Sequence, residues 1–279
     1  LNPGCRFFDK RIGQSTTLTG RTIVKHMSAE ANKVITGVYD HVGEAVIYGD
    51  TDSVYFSAYP TLKDDIESGK IPWDTEKAIS LYDQVSEAVD STFIDMMGRA
   101  FHCPKSRADV IAAGREIVAQ SGLYITKKRY AALVVDNEGF RTDADGVGKV
   151  KAMGLDLRRS DTPVFMQDFL KELLTMVLTD VPQKNVLDRI TEFRKEFSAR
   201  PGWEKGSPKR ANKVGHYRRL EEKQGRANMP GHVRASINWN TLKRMNGDKY
   251  SEEVVDGMKV IVCKLKQNPL GYTSVAYPT

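Results

Sequence analysis

Two β-rich runs on either side of a four-residue turn constrain this chain more than any other stretch. The runs are residues 44–48 and 53–59, rich in β-branched and aromatic residues. Such residues fit the pleated, half-buried surface of a sheet. Between them stands Gly49-Asp50-Thr51-Asp52. Gly and Asp tolerate turn dihedrals, so the spacing predicts a tight antiparallel hairpin. Two carboxylates, Asp50 and Asp52, then sit at one tip. Alternation along a strand directs residues i and i+2 the same way. Like charges held that close repel unless a cation lies between them. Hard oxygen donors with few protein neighbours suit Mg²⁺, which keeps waters and shares phosphate oxygens with a substrate. A solvated Asp-rich turn is the alternative.

Helical spacing of Leu18, Ile23, Val24, Met27, Ala31, Val34 and Ile35 predicts a helix over 15–37, capped by Ser15 or Thr16 and ended by Gly37. Residues 60–74, with Pro60, Gly69 and Pro72, read as a loop, and 75–100 as one helix capped by Thr75. Short strands are expected at 110–112, 116–118, 123–125 and 131–135, with Asn137-Glu138-Gly139 as a hairpin turn. Glu116 falls on one of these strands. Lys127-Lys128-Arg129-Tyr130 opens another, where alternation puts Lys128 and Tyr130 on a shared face suited to the minor groove and sugar edges of a duplex. A solvated basic strand edge is the alternative there. Asp143-Ala144-Asp145-Gly146 fails as a calcium loop and Gly146-Val147-Gly148-Lys149 as a phosphate loop, because the required spacings and ligands are missing.

Thr162-Pro163 is a strong helix start, and two helices, to about Thr179 and then 182–199, read as an antiparallel pair. Residues 200–234 hold ten Lys and Arg against three Glu, a surplus of seven that exceeds the +6 of the whole chain. Gly and Pro interrupt the segment, so it is expected to be loop-rich and exposed, either as a phosphate-tracking surface or as a solubilising loop. A helix at 235–245 and strands at 258–263 and 275–277 complete the pattern. Three scattered cysteines form neither a zinc pattern nor a disulfide framework and fit a reducing cytoplasm. No apolar run approaches the 18 residues of a membrane span. The first residues, Leu1-Asn2-Pro3-Gly4, are unlike a signal peptide and lack Met, as expected of a fragment.

Tyr48-Gly49-Asp50-Thr51-Asp52-Ser53 resembles the carboxylate motif on the palm hairpin of family B DNA polymerases. Lys127-Lys128-Arg129-Tyr130 is similar to that family's Lys-x-Tyr element, and Glu116 precedes it in an Arg-Glu-Ile context. Met153-Gly154-Leu155-Asp156, followed by Arg158-Arg159-Ser160-Asp161-Thr162-Pro163, resembles the palm-to-thumb junction, with Asp156 where Glu is common. Order and spacing agree most closely with viral, T-even-phage-like members. The resemblance implies an α+β fold: an antiparallel palm sheet with packed helices over residues 1–157, then a mostly helical, truncated thumb with a few small strands over 158–279. The junction is expected between Leu155 and Asp161.

The implied reaction is template-directed nucleotide transfer to a primer 3′-hydroxyl with two Mg²⁺ ions. The resemblance makes Asp52 a metal ligand, with Asp50 beside it as a second candidate. It places Tyr48, Thr51, Ser53 and Glu116 near the active site. Lys128 and Tyr130, flanked by Lys127 and Arg129, would hold the primer terminus. Arg158 and Arg159 would contact the duplex backbone; Arg218 and Arg219 are expected to do so on the separate ground of the basic segment's charge, if that segment tracks a duplex. Implied partners are primer–template DNA, deoxynucleoside triphosphates, the upstream polymerase half and, as a further candidate, a sliding clamp; a viral member would work in the host cytoplasm. The family's other metal-binding Asp motif and its triphosphate-gripping Lys helix are not found in this sequence. A non-catalytic nucleic-acid-binding protein that keeps the hairpin as scaffold is the rival reading. A reverse transcriptase is disfavoured, because Thr51 separates carboxylates that are adjacent there.

Overall fold

The structure, a computed structural model, describes residues 2–144, 146–225 and 228–279, with the side chain of Arg158 also left outside the description. Arg158 as a DNA contact, Asp145 of the rejected calcium-like loop and Arg226 of the basic segment therefore lie outside the described set. The chain is α+β and divides into two compact units, residues 1–151 and 152–279.

The first unit opens with α1 (Lys10–Thr36). The helix starts five residues before the expected Ser15, because the Asp9 carboxylate accepts the Arg11 N–H at 2.8 Å and caps it. Apolar periodicity could not show this, since residues 10–17 are nearly all polar. Gly37, at φ +80°, ends the helix as expected. Next come β1 (Val46–Asp50) and β2 (Ser53–Phe56), an antiparallel pair. Residues expected as loop then form α2 (Tyr59–Glu67). Pro60 lies in its first turn, where no N–H is needed. The expected single helix over 75–100 is two, α3 (Thr75–Asp90) and α4 (Phe93–Phe101), and Asp74 rather than Thr75 supplies the cap. The break falls where the Ser91 and Thr92 hydroxyls donate to the carbonyls of Ala88 and Val89 at 2.7 Å each. Such local bonds compete with helix continuation.

The expected strand at 110–112 is absent. A 3-10 turn, Lys105–Val110, occupies part of it, and α3 captures the rest: Asp90 accepts the Ala113 N–H at 2.6 Å. The expected strands at 116–118 and 123–125 are one, β3 (Ile117–Thr126), and Glu116 lies just before it rather than on it. It pairs antiparallel with β4 (Arg129–Asn137), and β5 (Phe140–Arg141) and β6 (Lys149–Met153) also pair with β4. Glu138 and Gly139, at φ +52° and +86°, make the expected hairpin turn. Tyr130 to Asp136 are buried without a break, so β4 is central.

Two polar anchors fix these parts. Asn32, buried on α1, accepts the N–H groups of Ala45 and Val46 at 3.1 and 3.3 Å and donates to the Asp40 carbonyl at 2.6 Å. It thereby sets where β1 begins. A Cβ on Gly43 would lie 2.2 Å from the Asn32 amide, so only glycine allows this approach. Arg115 bonds Asp83 of α3 at 2.5 Å and also the buried Asp136 of β4. The apolar centre is Ala31, Val85, Val89 and Phe93, with Ile23, Met27 and Phe56 packed on it. Phe93 is 1% exposed, and burying such a side chain stabilises by about 1.5–3 kcal/mol.

In the second unit a 3-10 turn, Asp156–Arg158, precedes α5 (Val164–Leu178) and α6 (Gln183–Ala199). The Phe169 and Phe193 rings of this helix pair stack at 3.5 Å, and Arg189 forks onto Glu172 at 2.7 and 3.1 Å. Then follow β7 (Ser207–Arg210), α7 (Val214–Gln224), α8 (Gly231–Met245), β8 (Lys259–Lys264) and β9 (Ser274–Pro278). The three strands form one antiparallel sheet. Its core joins Ala211, Val214 and Val233 to Val254, Val260 and Ala276. The basic segment is therefore not the exposed loop expected: three of its small apolar residues are core. They are isolated between cations, so no periodic signal announces them. No helix among the described residues is long and apolar enough to cross a membrane.

Candidate active site

The hairpin at the centre of the sequence is as tight as its turn residues allow. Asp50 pairs with Ser53, leaving only Thr51 and Asp52 in the turn. The Asp52 N–H donates to the Asp50 carbonyl at 2.5 Å around Thr51 at φ +50°. This three-residue closure is strained, and more so for a β-branched residue. Backbone strain of this kind collects at functional positions. Because Asp52 lies in the turn and not on a strand, alternation does not relate it to Asp50. Asp52 is exposed, while the Asp50 side chain is 23% exposed, accepts the Thr51 hydroxyl at 3.1 Å and lies 3.8 Å from the Lys128 ammonium. The Ser53 hydroxyl donates to the Asp50 carbonyl at 3.2 Å.

Lys127 and Lys128 are not at a strand start, as expected, but form the turn between β3 and β4, with Lys128 at φ +61°. The shared face expected for Lys128 and Tyr130 is therefore absent. Lys127, Lys128 and Arg129 are exposed, whereas Tyr130 is only 6% exposed. Its hydroxyl is 2.7 Å from that of Tyr55. Tyr48, Tyr55, Tyr124 and Tyr130 pack as one cluster with ring centroids 5.3–5.8 Å apart. Tyr48 also accepts the Lys128 backbone N–H at 2.8 Å. The cluster clasps the carboxylate hairpin to the basic turn. Burial, reinforced by the Tyr130 hydroxyl, pushes the Tyr55 phenol well above its usual range, and burial with Tyr130 pushes Tyr124 up to about 12. These two phenols are thus uncharged at neutral pH. Sequence reasoning missed Tyr55 and Tyr124; their signal was a tyrosine on each of two strands flanking the motif residues.

A cleft of about 480 Å³ opens beside the hairpin. Its walls are consecutive residues of two strands, Ser53 to Phe56 and Ile117 to Gly122, together with Asp52 of the turn, and Met27, Ala31, Tyr82 and Val89 are also among its lining residues. Consecutive rather than alternate lining residues mean that the cleft faces strand edges. Among the described residues β2 pairs with β1 alone, and β3 with β4 alone. Glu116 lines the same cleft as Asp52, and its carboxylate meets the Lys151 ammonium at 2.6 Å. Among the described residues no group of three or more His, Cys, Asp or Glu side chains could hold a metal. Asp50 and Asp52 could supply at most part of a donor set, of the kind in which one or two carboxylates are completed by water and phosphate around Mg²⁺.

The cations of the second unit differ in their freedom. Arg159 forks onto Asp161 at 2.9 and 3.0 Å, and Lys209 meets the same carboxylate at 2.5 Å. Hydrogen bonds from Arg159, then Lys209, hold the Asp161 carboxyl far below the usual carboxylate range. Arg218 meets Glu222 at 3.0 Å and Glu253 at 4.0 Å. Arg219 is exposed and donates to the Gly215 carbonyl at 3.2 Å. It has no carboxylate partner among the described residues.

No protein-family model matches the chain. Curated relatives do. It is 30% identical to the DNA-directed DNA polymerase of Escherichia phage RB69 over 98% of this chain. It is 25% identical to the DNA-directed DNA polymerase of Enterobacteria phage T4 over the same share. The catalytic subunit of Mus musculus DNA polymerase alpha is 24% identical over 66% of this chain and 10% of its own length. The chain spans about 30% of the length of each phage relative. The likeness to the phage DNA polymerases therefore extends along nearly the whole chain.

Proposed function

We propose that this chain is part of a template-directed DNA polymerase, with residues 1–157 belonging to the palm and 158–279 to the thumb. The observation that carries the reading is the clasp in which Tyr48 joins the Asp50–Asp52 hairpin to the Lys127–Lys128 turn. It lies in a sequence similar to DNA polymerases over 98% of its length. Asp50 and Asp52 would hold Mg²⁺, and two such ions supply activation of the primer 3′-hydroxyl and stabilisation of charge on the transferred phosphate. Lys128, 3.8 Å from Asp50, keeps that carboxylate turned toward the basic turn. Lys127, Lys128 and Arg129 face the primer end, and Tyr130 holds their turn in place from within the cluster. The cleft between the edges of β2 and β3 suits an extended segment of the upstream polymerase half, which would bring further carboxylates to Asp52. Arg219 contacts the duplex backbone, and the same role falls to Arg158 and, once released from their carboxylates, to Arg159 and Arg218.

Positioning supplies much of phosphoryl transfer, and the two carboxylates here have no third metal-binding partner among the described residues. The isolated chain is therefore expected to extend no primer with Mg²⁺ and all four nucleotides. Adding the upstream half should restore extension, and Asp52→Ala should abolish the restored activity. Extension by the chain alone would refute the need for that half. Restored activity that survives Asp52→Ala would refute the metal-ligand role. No restoration, with DNA binding intact, would favour a non-catalytic DNA-binding protein.

A further inference from the structure

Tyr250, in the turn after α8, is 99% exposed. A wholly exposed aromatic ring is unusual on a turn so firmly held. The Asp248 carboxylate accepts the N–H groups of Tyr250 and Ser251 at 2.8 and 3.1 Å. The Lys243 ammonium donates to the Asp248 carbonyl at 2.6 Å, and the Trp239 indole N–H to the Glu252 carbonyl at 2.9 Å. Arg244 and Lys249 are exposed beside the turn, and Glu253, three residues on, meets Arg218 of α7 at 4.0 Å. The ring therefore follows directly on Lys249 and comes six residues after Arg244, two exposed cations of the same helix end and turn. An aromatic side chain has only two χ angles to fix, so on a rigid backbone it gives contact area at small entropic loss. Cations that track phosphates and a ring on which a base stacks are together how unpaired nucleic acid is held.

We propose that Tyr250 is a base-stacking residue for an unpaired nucleotide of a polynucleotide strand, with Arg244 and Lys249 taking the flanking phosphates. The proposal rests on reading this unit as DNA-binding. Its test is the affinity of the 279-residue chain for a dye-labelled oligo(dT) strand and for a blunt hairpin duplex, measured over a range of salt. Tyr250→Ala should weaken single-strand binding about fivefold or more, with an unchanged salt slope because every phosphate keeps its cation. Tyr250→Phe should bind like the unaltered chain. Lys249→Ala should instead flatten the slope. So exposed a side chain can be removed without unfolding, which the thermal midpoint verifies. Equal single-strand affinity in Tyr250→Ala and the unaltered chain would overturn the proposal alone, and so would an equal loss on the duplex. An unaltered chain that binds neither ligand would overturn it together with the DNA-binding reading.

Discussion

The hydroxyl of Tyr48 reaches across from the carboxylate hairpin to the backbone of Lys128. Tyr48→Phe keeps the ring in its cluster and removes only that bond. The expected stability loss is about 1 kcal/mol, while extension restored by the upstream half should fall more steeply, as single-turnover kinetics would show. Arg115 is a different kind of residue: 11% exposed, against an Asp136 that is 3% exposed. Arg115→Ala leaves that carboxylate buried without its guanidinium, which costs about 3–5 kcal/mol; urea unfolding followed on a probe in the first unit would measure it. Asp248 has a pH signature. Hydrogen bonds from Ser251 and then Tyr250 lower its carboxyl from 3.8 to about 2. A depressed folded value means that the turn is fully supported above the unfolded value of 3.8 and loses support as pH falls toward 2. Amide exchange at Tyr250 and Ser251 should accelerate in that window, and Asp248→Asn should flatten the dependence.

Elements with a strong period were legible, and those set by single side chains were not. The paired helices α5 and α6 and the hairpin at Asp50 follow from apolar spacing and turn residues. The start of α1 depends on one aspartate, the break before α4 on two hydroxyls, and the entry to β1 on the three bonds of Asn32. None of these has a repeat to detect. Asn32→Ala would orphan the buried Ala45 N–H at roughly 1–3 kcal/mol, with smaller losses at the less buried Val46 N–H and Asp40 carbonyl, and hydrogen exchange should show β1 loosening before β4. The candidate site was half legible for the same reason. Its charged residues could be named from the sequence, but the burial of Tyr130 and the joining of four tyrosines depend on how two hairpins meet.

For the whole molecule, DNA affinity should be micromolar or weaker and fall steeply with salt, as backbone neutralisation requires. Replacing Arg218 and Arg219 together by Ala should weaken binding to all sequences alike and flatten the log–log slope by roughly one unit for each phosphate that the variant no longer neutralises. Since Arg218 is engaged by two glutamates and Arg219 by none among the described residues, Arg219→Ala alone should carry most of that change; an unchanged slope in both variants would leave α7 a solubilising face. Among the described residues β2 and β3 each show a single strand neighbour, and the cleft they line has a consequence for handling the protein. An open strand edge accepts any strand, including one from another copy. At high concentration the purified chain should self-associate through this cleft, with sedimentation profiles that shift with dilution. A charged substitution at the exposed Gln120, on the cleft wall, should keep it monomeric.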